Sequence, residues 1–286
     1  MRPFELLKSC RNAALGTCAT LALSFGSASA QPAGQEVNLS YDMYGGGLFL
    51  ASFDATARTD DVRYNVTIDG RTRGVLTLMG DWRARATAAG YVEDGLRADW
   101  YQMNIYEDDE TTTLRIDHLP GSRVETFRQP DRDLIAEVPV ADRVGTLDPI
   151  SALIGASLAQ GVEPACPDVQ EVFDGTRRYD VVFEEVGIEQ IDASSVGGFV
   201  GSAMHCRMRV EPVSGHWRDP DSRSFWRYPR PGDDPYRMGM EVWFAPPVEG
   251  APATMVRAQR DIDFLGRFLI HLVDASVTPQ SQIAAQ

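Results

Sequence analysis

Thr146-Leu147-Asp148-Pro149-Ile150-Ser151-Ala152-Leu153 opens the stretch that decides the fold. The stretch runs on through Cys166 and Val172-Phe173-Asp174-Gly175-Thr176-Arg177-Arg178-Tyr179-Asp180 to Cys206. Asp148 is placed to cap a helix, and Pro149 suits the first helical position, where no amide hydrogen is needed. Ile150, Leu153, Ile154 and Leu158 then recur at helical spacing, and Gly161 is placed to end the helix. This is the strong helix signal of the chain, and its single apolar stripe requires a sheet to cover it. Asp174-Gly175 reads as a hairpin turn. Beyond it, Tyr179, Val181 and Phe183 alternate with Arg178, Asp180 and Glu184 as a strand with one buried face.

Working outward toward the N-terminus, the chain reads as strand after strand. Tyr64, Val66 and Ile68 alternate with polar neighbours as far as Asp69-Gly70, a turn signal. Leu114, Ile116 and His118 alternate with Arg115 and Asp117, and the run Tyr101 to Tyr106 ends at the charged turn Glu107 to Glu110. Val37 to Tyr44 and Leu48 to Ala57 flank Gly45-Gly46-Gly47, a tight turn or bulge. A phosphate-cradling glycine loop would have to open a helix, whereas Leu48 to Phe53 alternates as a strand. Val75, Leu76, Leu78 and Met79 fit one helical turn, and Trp82 to Ala89 is extended. Pro130 to Thr146 is polar, proline-punctuated and reads as a surface connection.

Toward the C-terminus, strands are expected at Met204 to Val213, Met238 to Phe244, Ala253 to Asp263 and Phe268 to Val273. Between the first two, Gly215 to Pro235 carries Trp217, Phe225, Trp226 and Tyr228 among prolines, aspartates and arginines. Such a loop is either a ligand-binding loop or lid, or a cover for a sheet edge. About a dozen strands and one convincing helix make a mainly β protein. The expected architecture is a large curved antiparallel sheet, open and barrel-like, with the helix packed on or plugging its concave side.

The ends and the composition set the compartment. Arg2, Lys8 and Arg11, a short apolar run from Asn12 to Phe25, and Ala28-Ser29-Ala30 read as a signal peptide over residues 1–30, cleaved after Ala30. The run is too short and too rich in Gly, Thr and Ser for a spanning helix, so the mature chain is expected to have no transmembrane segment. No cysteine follows the cleavage site directly, which argues against a lipid anchor. One β-rich domain is expected over residues 31–277, with a frayed tail at 278–286. Apolar residues, at 43% of the chain, are ample for its core. Cys10 and Cys18 leave with the signal, so Cys166 and Cys206 remain, and two thiols in an exported protein are most simply one disulfide. Closing a loop of about 40 residues is worth roughly 4 kcal/mol in the chain-entropy model.

Removing Arg2, Lys8, Arg11 and Glu5, a net +2, takes the formal charge from −14 to −16. That excludes nucleic acid as a natural partner and disfavours anionic lipid surfaces. The only lysine is Lys8, so the mature chain has no Schiff-base, Walker-type or Ser–Lys chemistry. A genome rich in arginine codons accounts for this without any functional cause.

Leu147 to Leu153 with its Asp148-Pro149 pair, Cys166, Phe173 to Asp180 with Asp174, Gly175, Arg178 and Tyr179, and Cys206 resemble the domain-of-unknown-function 3108 family of exported bacterial proteins. The signal peptide and an opening strand with Tyr44 and Gly46-Gly47 fit as well. The resemblance implies a mostly β envelope protein of a Gram-negative bacterium. It brings no agreed substrate or catalytic residues. Its fold is similar to the curved open barrels of periplasmic lipoprotein carriers and envelope-integrity proteins, an analogy of fold alone.

The chemistry legible in the chain is sparse. His118, His205, His216 and His271 form no HExxH or other close ligand pair, and His118 and His271 sit within strand patterns as ordinary satisfied or surface histidines. His216, near Asp219 and Asp221, is the best-placed candidate base or metal ligand, although loop charges are usually solvated. Gly201-Ser202 precedes a strand and makes no nucleophile elbow. Asp233-Asp234 and Asp108-Asp109-Glu110 are adjacent in sequence and do not straddle a cleft as glycosidase acids must. No catalytic residue, metal or cofactor is assigned. The leading reading is a non-enzymatic periplasmic envelope-maintenance module that binds an apolar or lipidic small molecule. The alternative is a structural envelope protein acting through protein partners, with a hydrolase a distant third.

Overall fold

Alternation of β-branched and aromatic residues with polar ones extends most of this chain into strands. A computed structural model describes residues 34–78, 80–93, 95–131, 133–158, 165–221, 227–262 and 266–279. The expected signal segment, Gly161, Phe225 and Trp226 lie outside the described residues. Seven strands come first: β1 (Gln35–Gly45), β2 (Leu48–Thr59), β3 (Arg63–Thr72), β4 (Trp82–Tyr91), β5 (Arg97–Glu107), β6 (Glu110–Leu119) and β7 (Arg123–Gln129). Two helices follow, α1 (Val140–Arg143) and α2 (Pro149–Leu158). The second run is β8 (Gln170–Phe173), β9 (Arg177–Ile191), β10 (Gly201–Gly215), β11 (Met240–Ala245), β12 (Thr254–Ile262) and β13 (Gly266–Pro279).

All of these strands join one sheet of 13, in the order β7-β6-β5-β4-β3-β2-β1-β13-β12-β11-β10-β9-β8. Every neighbour is antiparallel, and β1 meets β13 in the middle through pairs such as Val37 with Val277. The consequence is topological: β7 and β8, consecutive along the chain, become the two opposite edges. Those edges curl toward each other. Arg128 of β7 donates to the Gly175 carbonyl of the β8–β9 turn at 2.8 Å, and Leu114, Val124 and Phe173 share one apolar cluster. Edge strand β8 is further protected by Leu147, which bridges Val172 in parallel with two backbone hydrogen bonds of 2.8 Å. Covering an edge in this way removes a template for unwanted pairing.

Helix α2 occupies the interior of the curl and packs against β4 and β5 of one run and β8 and β12 of the other. Ile150 and Ile154 join Tyr64, Val66 and Tyr101. Ala156 meets Cys206, Val242 and Phe244, and Ala152 meets Val172, Tyr179 and Trp217. The expected single stripe is therefore too narrow. The helix is buried on several sides, with Leu153 partly open at 36% exposure, and it plugs the sheet. Its small residues make this fit: a Cβ on Gly155 would lie 2.7 Å from Leu96 and 2.9 Å from Gln170. The disulfide between Cys166 and Cys206, with Cα atoms 5.7 Å apart, ties the chain after α2 to β10.

Three further sequence expectations change. Gly70 does not end a strand: β3 continues to Thr72, and the glycine is required because a Cβ there would meet the Phe53 ring at 2.8 Å. The Pro130 to Thr146 connection is more than a surface link. Val138 and Thr146 are buried, and Arg143 donates to the Val138 carbonyl while lying over the Phe173 ring at 5.5 Å. Thr278, expected to fray, pairs with Glu36, and Pro279 pairs with Gln35. Residues 280–286 lie outside the described residues.

Candidate functional site

The conspicuous Asp148-Pro149 pair builds a buried lock. Asp148 is fully buried, and its Oδ1 accepts the amides of Ile150 and Ser151, both at 3.0 Å. Its Oδ2 accepts the Ser151 hydroxyl, which in turn accepts from the Tyr64 hydroxyl at 2.6 Å. Burial pushes the Asp148 carboxyl above its ordinary range, against the lowering effect of these hydrogen bonds. Burial likewise raises the Tyr64 and Tyr101 phenols, with the nearby Asp148 charge acting in the same direction. Proline at the first helical position and aspartate before it were readable in the sequence. The partner Tyr64, in β3, was not.

The Asp174-Gly175 turn is a second anchor. Asp174 Oδ1 accepts the Thr176 amide at 2.8 Å, the Thr176 hydroxyl at 2.7 Å and the Arg177 amide at 2.7 Å. The Gly175 carbonyl receives Arg128, and the Thr176 carbonyl receives the His216 amide at 2.9 Å. Arg178 is buried and pairs with Glu171 at 2.7 Å and Asp180 at 2.6 Å. Tyr179 packs edge-on against Trp217, with ring centroids 6.2 Å apart. These motif residues build the β8–β9 end of the sheet, and the Gly175 carbonyl is the point at which β7 reaches it through Arg128.

The aromatic loop divides. Trp217 is not offered to a ligand: it is buried in the core and donates its indole hydrogen to the Ser214 carbonyl at 2.9 Å. Tyr228 stands partly exposed beside it, 6.1 Å between centroids. His216 is also buried, and its Nδ1 accepts the Ile135 amide at 2.8 Å. Asp219 and Asp221 are exposed, Asp221 lying 3.5 Å from Arg230. The imidazole and these carboxylates therefore occupy different environments, and the histidine pins the 130–146 connection to the sheet. Burial pushes His118 and His271 down from the ordinary histidine value.

The sheet's two faces differ in chemistry. Cys206, Val242, Ala258 and Ile270 stand in one row across β10 to β13 and face α2. The next row, His205, Trp243, Arg257 and His271, points the other way. His205 stacks on Trp243 with centroids 4.4 Å apart, and its ring nitrogens contact Glu189, at 3.1 Å, and Glu241. Among the described residues, no three His, Cys, Asp or Glu side chains are grouped so as to hold a metal ion.

An apolar pocket of about 160 Å³ opens between α2 and the second run of strands. Its walls include Leu153 of the helix, Phe183, Phe244 and three methionines, Met208, Met240 and Met255. Unbranched methionine reshapes readily around an apolar group. Larger clefts exist elsewhere, but their walls mix polar and apolar surface, whereas this one is almost wholly apolar. One of about 510 Å³ is lined by Asp54, Asp69, Arg71 and Arg85, with Arg85 and Asp69 paired at 2.7 Å. The sequence signal for the apolar pocket was the recurrence of methionine in β10, β11 and β12. Its meaning needed the register.

A helix-plugged, open barrel-like antiparallel sheet with an apolar pocket beside the helix is the class that fold and site define. The chain belongs to the family described as Protein of unknown function (DUF3108), whose model matches residues 40–266. It is also similar to the crystal structure of a β-barrel-like protein of the domain of unknown function DUF1849 from Brucella abortus. That likeness is 9% identical, covers 87% of this chain and 99% of the other, and has a TM-score of 0.42. No curated protein matches the chain.

Proposed function

We propose that this protein is an exported, periplasmic, non-enzymatic module of envelope maintenance that holds an apolar or lipidic ligand by one end in the pocket beside α2. The observation that carries this reading is the methionine- and phenylalanine-walled pocket of about 160 Å³. A cavity near 150 Å³ accommodates roughly one benzene-sized group, whereas sites for whole drug-sized ligands run from about 300 to 1,000 Å³. The occupant is therefore the end of an acyl chain or a comparable apolar group, with the rest of the molecule outside. The disulfide supports an oxidising compartment. No described helix is long and apolar enough to cross a membrane.

The alternative, a structural envelope protein acting through protein partners, is favoured by the way α2 and its clusters fill the interior. Native mass spectrometry of the protein from its own periplasm, followed by organic extraction, separates the two. An apolar molecule in near-stoichiometric amount, lost in a Met240→Trp variant that keeps its fold, supports the pocket. A bare mass, with no uptake of a fluorescent fatty acid, overturns it in favour of the partner reading.

A further inference from the structure

Strand β9 spans Arg177–Ile191, but its edge neighbour β8 pairs only with Arg178 to Val181. From Val182 onward β9 is held by β10 alone, and no described strand pairs with its other side. Cys206 pairs with Glu185, and its disulfide brings Cys166 to that level. Among the described residues, the stretch left without a neighbour therefore lies beyond, from Val186 to Ile191. Val186 is the extra residue of a bulge, because Cys206 pairs with Glu185 and His205 with Gly187. Past it, Gly187-Ile188-Glu189-Gln190-Ile191 runs in regular register with β10.

Bulges and charges are the usual protection for such an edge, yet this one also displays apolar side chains. Ile188 is 64% exposed and Val186 51% exposed. Val200, 57% exposed, precedes the Gly201 that pairs with Ile191. The charge along β9 itself is acidic, from Glu184, Glu185 and Glu189, with Arg207 of β10 opposite Glu184. Glu189 is held in place by the Trp243 indole at 2.9 Å. A second copy is a poor occupant, since antiparallel self-pairing of Gly187 to Ile191 is centred on Glu189 and would set the two Glu189 side chains against each other, and like charges directly opposite destabilise a ladder. An extended segment with basic side chains and an apolar one opposite Ile188 satisfies both the charge and the surface.

We infer that the β9 edge from Gly187 to Ile191 docks an extended, basic segment of a partner protein as an added strand. Main-chain hydrogen bonds supply affinity and alternate side chains supply selectivity, as in other edge-strand recognition. The inference stands on a different observation from the pocket, so either can fail alone.

The probe is a short acetylated peptide of alternating arginine and valine, measured by calorimetry on the full disulfide-bonded chain. Binding is expected, with new hydrogen-exchange protection at Gly187 to Ile191. It should weaken by about tenfold or more when alternate peptide amides are N-methylated, and by a similar factor in an Ile188→Asp variant, about 1.4 kcal/mol. The Met240→Trp variant should bind the peptide as the wild type does. Equal binding of the N-methylated peptide would reduce the effect to charge adsorption and overturn the proposal. So would equal binding of a glutamate–valine peptide, or no binding at millimolar peptide. A wild-type dimer that the peptide dissociates would replace the partner by a second copy. The N-methylation comparison uses wild-type protein and does not depend on any variant folding.

Discussion

Asp148→Ala tests whether the buried lock is what seats α2 inside the sheet. The carboxylate accepts the Ile150 and Ser151 amides and the Ser151 hydroxyl, at a site with no exposure through which water could replace it. Loss of an N-cap costs about 1 kcal/mol, up to about 2. A buried hydroxyl left without its acceptor adds about 1–3 kcal/mol. The expected destabilisation is roughly 2–5 kcal/mol, a large share of the roughly 5–15 kcal/mol that domains possess. Tyr64→Phe should cost about 1 kcal/mol, because it removes one donor and leaves the cap intact. Denaturant midpoints at constant slope give both numbers.

The pH dependence of the Asp148→Ala effect carries a sign. Burial raises the Asp148 carboxyl in the folded protein. The native state therefore holds a proton over a window that opens at the ordinary carboxylate pKa of about 3.9 and extends upward. Asp148's contribution is fully present below that window and declines as pH rises through the raised value. The stability gap between wild type and Asp148→Ala should be widest in acid and narrow toward neutrality. A gap that widens with pH would show that the ionised carboxylate is the form the fold prefers. A loss under about 1 kcal/mol at every pH would remove the lock from the account.

Two further outcomes follow from the packing. Replacing Cys166 and Cys206 by serine should lower stability by roughly 4 kcal/mol for a closed loop of about 40 residues, read as a denaturant midpoint with and without reductant. A difference under about 1 kcal/mol would mean that the unfolded chain is already constrained there. Gly90→Ala should cost about 3 kcal/mol, because its Cβ would fall 2.1 Å from the Arg97 carbonyl and 2.5 Å from the Tyr64 hydroxyl. Gly47→Ala, at φ +83° with open space around it, should cost only about 1–2 kcal/mol from backbone strain. Equal losses at the two sites would contradict this ordering.

What the chain reveals about itself divides by the range of the interaction. Local signals were legible: the Asp148-Pro149 helix start, the Gly45 to Gly47 turn, the Asp174-Gly175 turn, and the period-two alternation of β3, β6 and β9. Each depends on residues within a few positions of one another. Gly70 was misread because its reason lies across the sheet, in a Phe53 ring that leaves no room for a Cβ. Trp217 looked like a loop aromatic because proline, arginine and aspartate surround it, yet Tyr179 and Met238 bury it. The helix stripe was underestimated for the same reason. Ala152, Gly155 and Ala156 are unremarkable in one dimension, and only a sheet wrapped around them gives small residues a packing role. The site was less legible still, since Met208, Met240 and Met255 meet only through the β10–β11–β12 register.

The placement of α2 follows from the strand order. Because β1 pairs with β13, the chain leaves β7 at one edge and must re-enter at β8 on the other. A connection crossing inside the curl fills the interior, and one crossing outside would leave the apolar rows of both runs uncovered. The helix start supplies what the inside route demands: Asp148 satisfies buried amides, Pro149 has none to satisfy, and Leu147 extends edge β8 just before the helix begins. Closure of the seam then rests on side chains and a turn, Arg128 donating to the Gly175 carbonyl and Leu114 and Val124 packing with Phe173, in place of a continuous ladder. A seam built this way opens at lower cost than a closed barrel does. Hydrogen exchange should accordingly find the amides of β7 and β8 less protected than those of β1 and β13, which pair at the centre of the sheet. Uniform protection across all four strands would mean that the seam opens only with global unfolding.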